Sequence, residues 1–172
     1  MATKTQAAHI LLRSGEARKV GQRSTGAIRY DIVSDSERTK VFIRITGNDG
    51  GGYFSREFID FDKAIDSVAS YKDGSPFPSK VFASAFVGKS SNNAGFLAAV
   101  LRGEQLLDAA PGSDFQHVIA GEWADWKVAA LQLEGTPIDE PKPADSKLAD
   151  GANKVQSKRS KSKKDNVGET AE

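Results

Sequence analysis

The feature that most constrains this chain is the alternation on either side of a glycine cluster, in Thr39–Phe61 (TKVFIRITGNDGGGYFSREFIDF). Val41, Ile43 and Ile45 fall on one face of an extended run, and Lys40, Phe42, Arg44 and Thr46 on the other. Phe54, Arg56, Phe58 and Asp60 alternate in the same way with Tyr53, Ser55, Glu57, Ile59 and Phe61. Period-two patterning with β-branched and aromatic residues predicts a hairpin, and Asn48-Asp49-Gly50-Gly51-Gly52 supplies the reversal because glycine accepts positive φ. The pattern does not fix the register, since a slip of one residue inverts every face. One face is core. The other combines Arg29, Phe42, Arg44, Phe54 and Arg56, a cationic and aromatic set.

The elements around this pair extend it into an α+β domain. Gly26–Val33 reads as a further strand, with Ile28, Tyr30 and Ile32 inward, and Ser34–Arg38 as its turn into the pair. The expected fold is an antiparallel meander of three or four strands with helices packed on one face. Ala7–Leu12 fits a short helix or an added strand. Asp62 is placed to cap a helix over Lys63–Tyr71 with an Ile65/Val68/Ala69 stripe. Pro76 and Pro78 interrupt the chain, and Lys80–Val87 is open between helix and strand. A helix follows Ser90–Asn93, extending as far as Leu107, with a strand over Phe115–Ala120 and a helix over Glu122–Glu134.

Composition bounds the rest. With 172 residues and 38% apolar content, one core is affordable. Residues 1–25 read as a basic N-terminal arm, 26–135 as the domain and 136–172 as a disordered tail, proline-rich at its start and without an aromatic residue. The absence of cysteine removes thiol chemistry and thiolate metal sites. With no apolar run of membrane-spanning length and no leader pattern, a soluble cytoplasmic protein is expected. Net charge is only +1, but residues 1–30 hold Lys4, Arg13, Arg18, Lys19, Arg23 and Arg29 against Glu16 alone. The tail carries a second cluster, Lys158, Arg159, Lys161, Lys163 and Lys164. Such local excesses suit an anionic partner or a solvated surface.

Catalytic constellations are weak. Ala83–Ser90 (ASAFVGKS) fits a relaxed phosphate-loop pattern, but Phe86 and Val87 stand where small residues are needed. His9 and His117 are the only histidines, and the carboxylates lack a partner at catalytic spacing, so no enzyme, cofactor or metal is expected. Trp123 and Trp126 read as core or interface anchors before base-stacking platforms. The Arg/Phe face remains, because a cationic surface bearing flat rings is what an unpaired nucleic-acid strand requires. The alternative is a second buried face, covered by later helices and rimmed with arginine.

The order Lys40-Val41-Phe42-Ile43-Arg44-Ile45, then Gly51–Phe61, then a helix from Asp62 resembles the sheet-plus-helix units of single-strand nucleic-acid-binding proteins of the positive-cofactor-four coactivator, Pur-alpha and whirly type. The resemblance covers about a third of the chain. It implies a homodimer that binds unpaired DNA or RNA through Phe42, Arg44, Phe54 and Arg56. Two departures stand: Lys80–Glu134 contains no second unit, and Asp49 and Glu57 place negative charge near the face. The expected function is a small non-enzymatic single-strand binder, accessory to replication, transcription or mobile-element maintenance. The rival is a protein-interaction or inhibitory module, in which the Trp123/Trp126 helix and the hairpin form the interface.

Overall fold

The computed structural model describes residues 9–21 and 24–138. Five strands make one antiparallel sheet: β1 (His9–Arg18), β2 (Ala27–Ser34), β3 (Val41–Asn48), β4 (Ile59–Asp60) and β8 (Thr136–Ile138), in the order β4-β3-β2-β1-β8. A second sheet, β5 (Phe77–Pro78), β7 (Ser113–Ile119) and β6 (Leu107–Ala110), is ordered β5-β7-β6. The helices are α1 (Phe61–Val68), α2 (Asn93–Gly103) and α3 (Trp123–Leu131), with a 3-10 helix over Ser79–Ala85. The fold is α+β with an antiparallel sheet and helices on one face, as expected. The sheet gains β1 and β8, which lie in the stretches read as arm and tail.

The Val41/Ile43/Ile45 face is core, all three side chains being fully buried beside Ile28, Tyr30 and Ile32 of β2. α2 covers β1 and β2 on that side, while α1 and α3 lie against β3. Leu97, Ala98, Ala99, Val100 and Leu101 are all buried, the signature of a helix enclosed on every side. Gly103 lets its last turn approach β1, where a Cβ would lie 2.9 Å from that of Ala17. α1 begins two residues earlier than its sequence suggested. Asp60, not Asp62, is the N-cap, accepting from the Asp62 N–H at 2.9 Å, so Phe61 enters the helix and the core. Its ring stacks on Trp123 (5.6 Å) and packs on Trp126 (4.6 Å), which places both tryptophans as anchors of α3.

The expected second arm of the hairpin is mostly not a strand. Only Ile59–Asp60 pairs with β3, through Phe42↔Asp60 and Ile43↔Ile59, and residues 51–58 run as irregular chain. Lys80–Val87 resolves into the 3-10 helix, and α2 ends at Gly103, freeing Leu107–Ala110 to form β6. The basic cluster Lys158, Arg159, Lys161, Lys163 and Lys164 lies outside the described residues.

A polar network lies where α2 and α3 meet the sheet. Glu104, with a side chain 6% exposed, accepts from Arg13, from the Tyr30 hydroxyl and from Trp126 Nε1 (3.0 Å). Burial pushes its carboxyl up, but these donors and the Arg13 charge more than offset that, leaving it below the usual range. Burial and the same carboxylate push the Tyr30 hydroxyl up to about 12. Glu104→Ala leaves three donors unpaired and is expected to cost about 2–4 kcal/mol in urea unfolding. The wild-type contribution should be intact above the ordinary glutamate value of 4.5 and decline as pH falls through the lowered folded value.

Candidate nucleic-acid interface

Among the described residues the helices pack on the inner face of the sheet, and the functional candidates on its outer face are engaged with one another. Arg44 Nη2 donates to Asp31 (2.7 Å), its cross-strand partner, and Ser14 Oγ donates to the same carboxylate (2.6 Å). The Arg44 guanidinium also lies 5.1 Å over the Phe58 ring. Phe42 packs edge-on against His9 (5.4 Å) and Phe58 (6.2 Å), while His9 stacks on Phe58 at 4.2 Å. A largely buried ion pair gives up its Coulomb energy and hydrogen bonds if one partner is withdrawn. Arg44 and Phe42 are therefore engaged within the fold in this arrangement, both only partly exposed.

Phe54 and Arg56 do not join that face. They lie on the irregular chain after the glycines, which departs from β3 and leaves a groove of about 680 Å³ against the strand. Arg29 and Thr46 line its sheet side; Gly51, Tyr53, Phe54 and Arg56 line the other. Gly50, Gly51 and Gly52 take φ of 99°, 78° and 99°, values that admit glycine and strain other residues. Gly47 faces the Arg29 guanidinium, where an added Cβ would lie 2.6 Å from Nε, a contact the half-exposed arginine side chain can relieve by moving aside.

The charges of this groove differ in kind from Arg44. Arg29 is ion-paired with Asp49 at 2.6 Å, both half-exposed, and Asp49 also accepts from the Ala27 N–H at 3.2 Å. Its carboxyl is lowered first by the bond from Arg29. Lys19 donates to the Asp49 carbonyl. Arg56 is exposed, has no ion pair among the described residues, and sits 5.3 Å over the Phe54 ring. Phe54 in turn packs on Phe96 of α2 at 6.0 Å. Tyr53, 56% exposed, presents its ring beside them.

The wall bearing Tyr53 and Arg56 is held in place despite lacking strand pairing. The Tyr53 carbonyl accepts from Ser90 Oγ (2.7 Å) and Asn92 Nδ2 (2.9 Å). Buried Asn93 accepts from the Ser55 N–H (2.9 Å) and donates to the Gly88 carbonyl (3.2 Å). The Glu57 carboxylate accepts from Ser55 Oγ and from the N–H groups of Val87 (2.6 Å) and Gly88 (2.9 Å). Burial pushes this carboxyl up, but the three donors leave it lowered. The backbone amides of the phosphate-loop-like stretch thus hold a carboxylate of the protein itself. Nothing in the short-range pattern marks Glu57 or Asn93 for this role, because the partners are 30 or more residues apart.

One further cluster has the composition of a hydrolytic site. Fully buried His117 lies between Ser79 Oγ (2.7 Å from Nε2) and Arg102, whose Nε–H donates to Nδ1 at 2.9 Å. Because Nδ1 is occupied as acceptor, the ring proton resides on Nε2 and is donated to Ser79, the reverse of the bond that activates a serine. Arg102 also donates to the Asp114 and Gln116 carbonyls, fastening β7 to α2. No group of three His, Cys, Asp or Glu among the described residues could hold a metal ion, and no helix among them is long and apolar enough to cross a membrane.

Comparison of the chain with protein families, curated proteins and solved structures gave no match.

Two measurements check this geometry. Burial, and secondarily the Arg102 charge, lower the His117 imidazole to about 4. The unfolded chain takes up that proton below 6.5, so stability present above 6.5 should fall as pH drops from 6.5 to about 4. At ~1.36 kcal/mol per pH unit the loss is at most about 3 kcal/mol, and His117→Gln should flatten the slope. Glu57→Gln should speed amide exchange at Val87 and Gly88 and at the Ser55 N–H, while β1–β3 exchange stays unchanged.

Proposed function

We propose that this chain is a non-enzymatic protein that binds single-stranded DNA or RNA, and that the strand lies in the groove beside the glycine loop rather than across the flat sheet face. The observation that carries the reading is Arg56, an exposed guanidinium without an ion pair among the described residues, beside the half-exposed ring of Tyr53 in a groove that also contains Arg29. A phosphate needs a cation that is not already neutralised, and a base needs a flat ring at the surface. Arg56 and Tyr53 meet those needs on one wall; Arg44 and Phe42 do not. Gly51, with nothing within 4 Å of its Cβ position, lets a strand approach the backbone at the lip, and Lys19 adds positive charge at its rim.

A second reading has one observation in its favour. β4 pairs with β3 only at Phe42 and Ile43, so on that side Arg44–Asn48 has no strand partner among the described residues. An extended acidic peptide could add there as a strand, in the manner of sheet-edge recognition.

Fluorescence anisotropy with labelled single- and double-stranded DNA and RNA separates the two. Tyr53→Ala should cost about 1–3 kcal/mol of single-strand affinity with the melting temperature unchanged. Arg56→Ala should weaken binding and reduce the salt slope by about 0.7, the value for one phosphate on a single strand. Phe42→Ala and Arg44→Ala should instead lower the melting temperature, Phe42→Ala by less than the ~3–5 kcal/mol of a fully buried phenylalanine. Wild-type protein that shows no salt-dependent binding to any oligonucleotide would remove the nucleic-acid reading and leave the peptide in front.

A further inference from the structure

We infer that the single-strand track does not end at the glycine lip but continues over it into a second depression and terminates on Phe115, which acts as a second base-stacking platform. This rests on the single-strand reading above and extends it to the far side of the lip. The second depression, of about 200 Å³, is lined by Lys19, Ser24, Asn92 and Phe96 among others. It adjoins the groove at two points. A Cβ on Gly52 would lie 3.1 Å from Asn92 Nδ2, and one on Gly50 would lie 3.4 Å from Lys19 Nζ, so the lip of one is the rim of the other. The packed rings of Phe54 and Phe96 form a common wall, Phe54 facing the groove and Phe96 the depression.

Phe115 stands at the outer end of this path. It is 69% exposed, on the outward side of β7. Its ring edge lies over Gly21, where a Cβ would come within 3.0 Å of Cε1 and 3.3 Å of Ser24 Oγ, so the ring adjoins a residue that lines the depression. A phenylalanine so exposed contributes little to the core, and most of its surface is open to a planar ligand. The order along the surface is then Arg56 and Tyr53, the glycine lip, Lys19, the depression, and Phe115. Cation and ring alternate along it, the arrangement by which proteins bind single strands without reading their sequence. Gly51 has nothing within 4 Å of its Cβ position, so a backbone can cross the lip there, between Lys19 on one side and Asn92 on the other.

The test uses the full chain and a fluorescein-labelled oligothymidylate of about 12 nucleotides, within the span a site of this kind covers. Phe115→Ala is expected to weaken binding roughly fivefold to hundredfold, the range for loss of one stacked base, with an unchanged melting temperature. Phe115→Trp should bind at least as tightly as wild type, since any flat ring serves a platform. If Phe115→Ala binds like wild type while Tyr53→Ala is weakened, the track stops at the glycine lip and the single-strand reading survives without this extension. If Phe115→Trp loses as much as Phe115→Ala, the ring acts through specific packing and the platform is wrong. Failure of the wild type to bind any single strand would overturn both readings. A Phe115→Ala variant that changes sedimentation instead of affinity would reassign the surface to self-association.

Discussion

The capture of the Glu57 carboxylate by the amides of Val87 and Gly88, reinforced by Asn93 gripping Ser55, decides the shape of the candidate site. Alternation alone would lay residues 53–58 beside β3 as a full strand. Charge-assisted hydrogen bonds to a partly buried carboxylate outweigh the ladder bonds that those residues could have made at an edge. The chain is drawn toward the loop ahead of α2, pairs with β3 only at Ile59–Asp60, and leaves a groove where a strand was expected. Phe54 is turned onto Phe96, Arg56 is left without a carboxylate partner among the described residues, and Tyr53 is fixed through its carbonyl while its ring remains at the surface.

The basic residues consequently fall into two groups that composition cannot separate. Arg13 and Arg44 are joined to Glu104 and Asp31, each carboxylate shared with a hydroxyl, and their charge is spent inside the fold. Lys19, Arg29 and Arg56 stand at the groove, with Asp49 holding Arg29. Exchanging a buried ion pair for a contact with an external phosphate requires breaking bonds worth several kcal/mol, whereas an exposed guanidinium gives up little more than water. The burial of the partner carboxylate, deep for Glu104 and Asp31 and slight for Asp49, therefore ranks the arginines as candidate ligands more reliably than their spacing does.

Much of the architecture was legible, and the reasons are local. The inward face of β2 and β3 follows from period-two patterning with β-branched residues, and α2 and α3 from apolar runs between capping and breaking residues. The Asp31–Arg44 pair was readable in principle, since both lie on the outward face of strands joined by a short turn whose register Asp35 fixes by accepting from the Thr39 and Lys40 amides. β1 was obscured because its inward positions include Gly15, which must be small to accommodate the Tyr30 ring, and Arg13, which is inward for Glu104. The departure of residues 51–58 from β3 depends on partners 30 to 39 residues away, and no window of sequence contains both ends of such a contact.

The central claim is that the ligand surface is the groove wall and not the sheet face, and amide chemical shifts resolve the two directly. In a titration of isotopically labelled protein with oligothymidylate, the largest perturbations should cluster at Gly50–Arg56 and at the Lys19 and Arg29 amides, with Val33, Phe42 and Arg44 little changed. Perturbations centred on Phe42 and Arg44, with the glycine loop silent, would contradict the account and return the site to the outer face of the sheet.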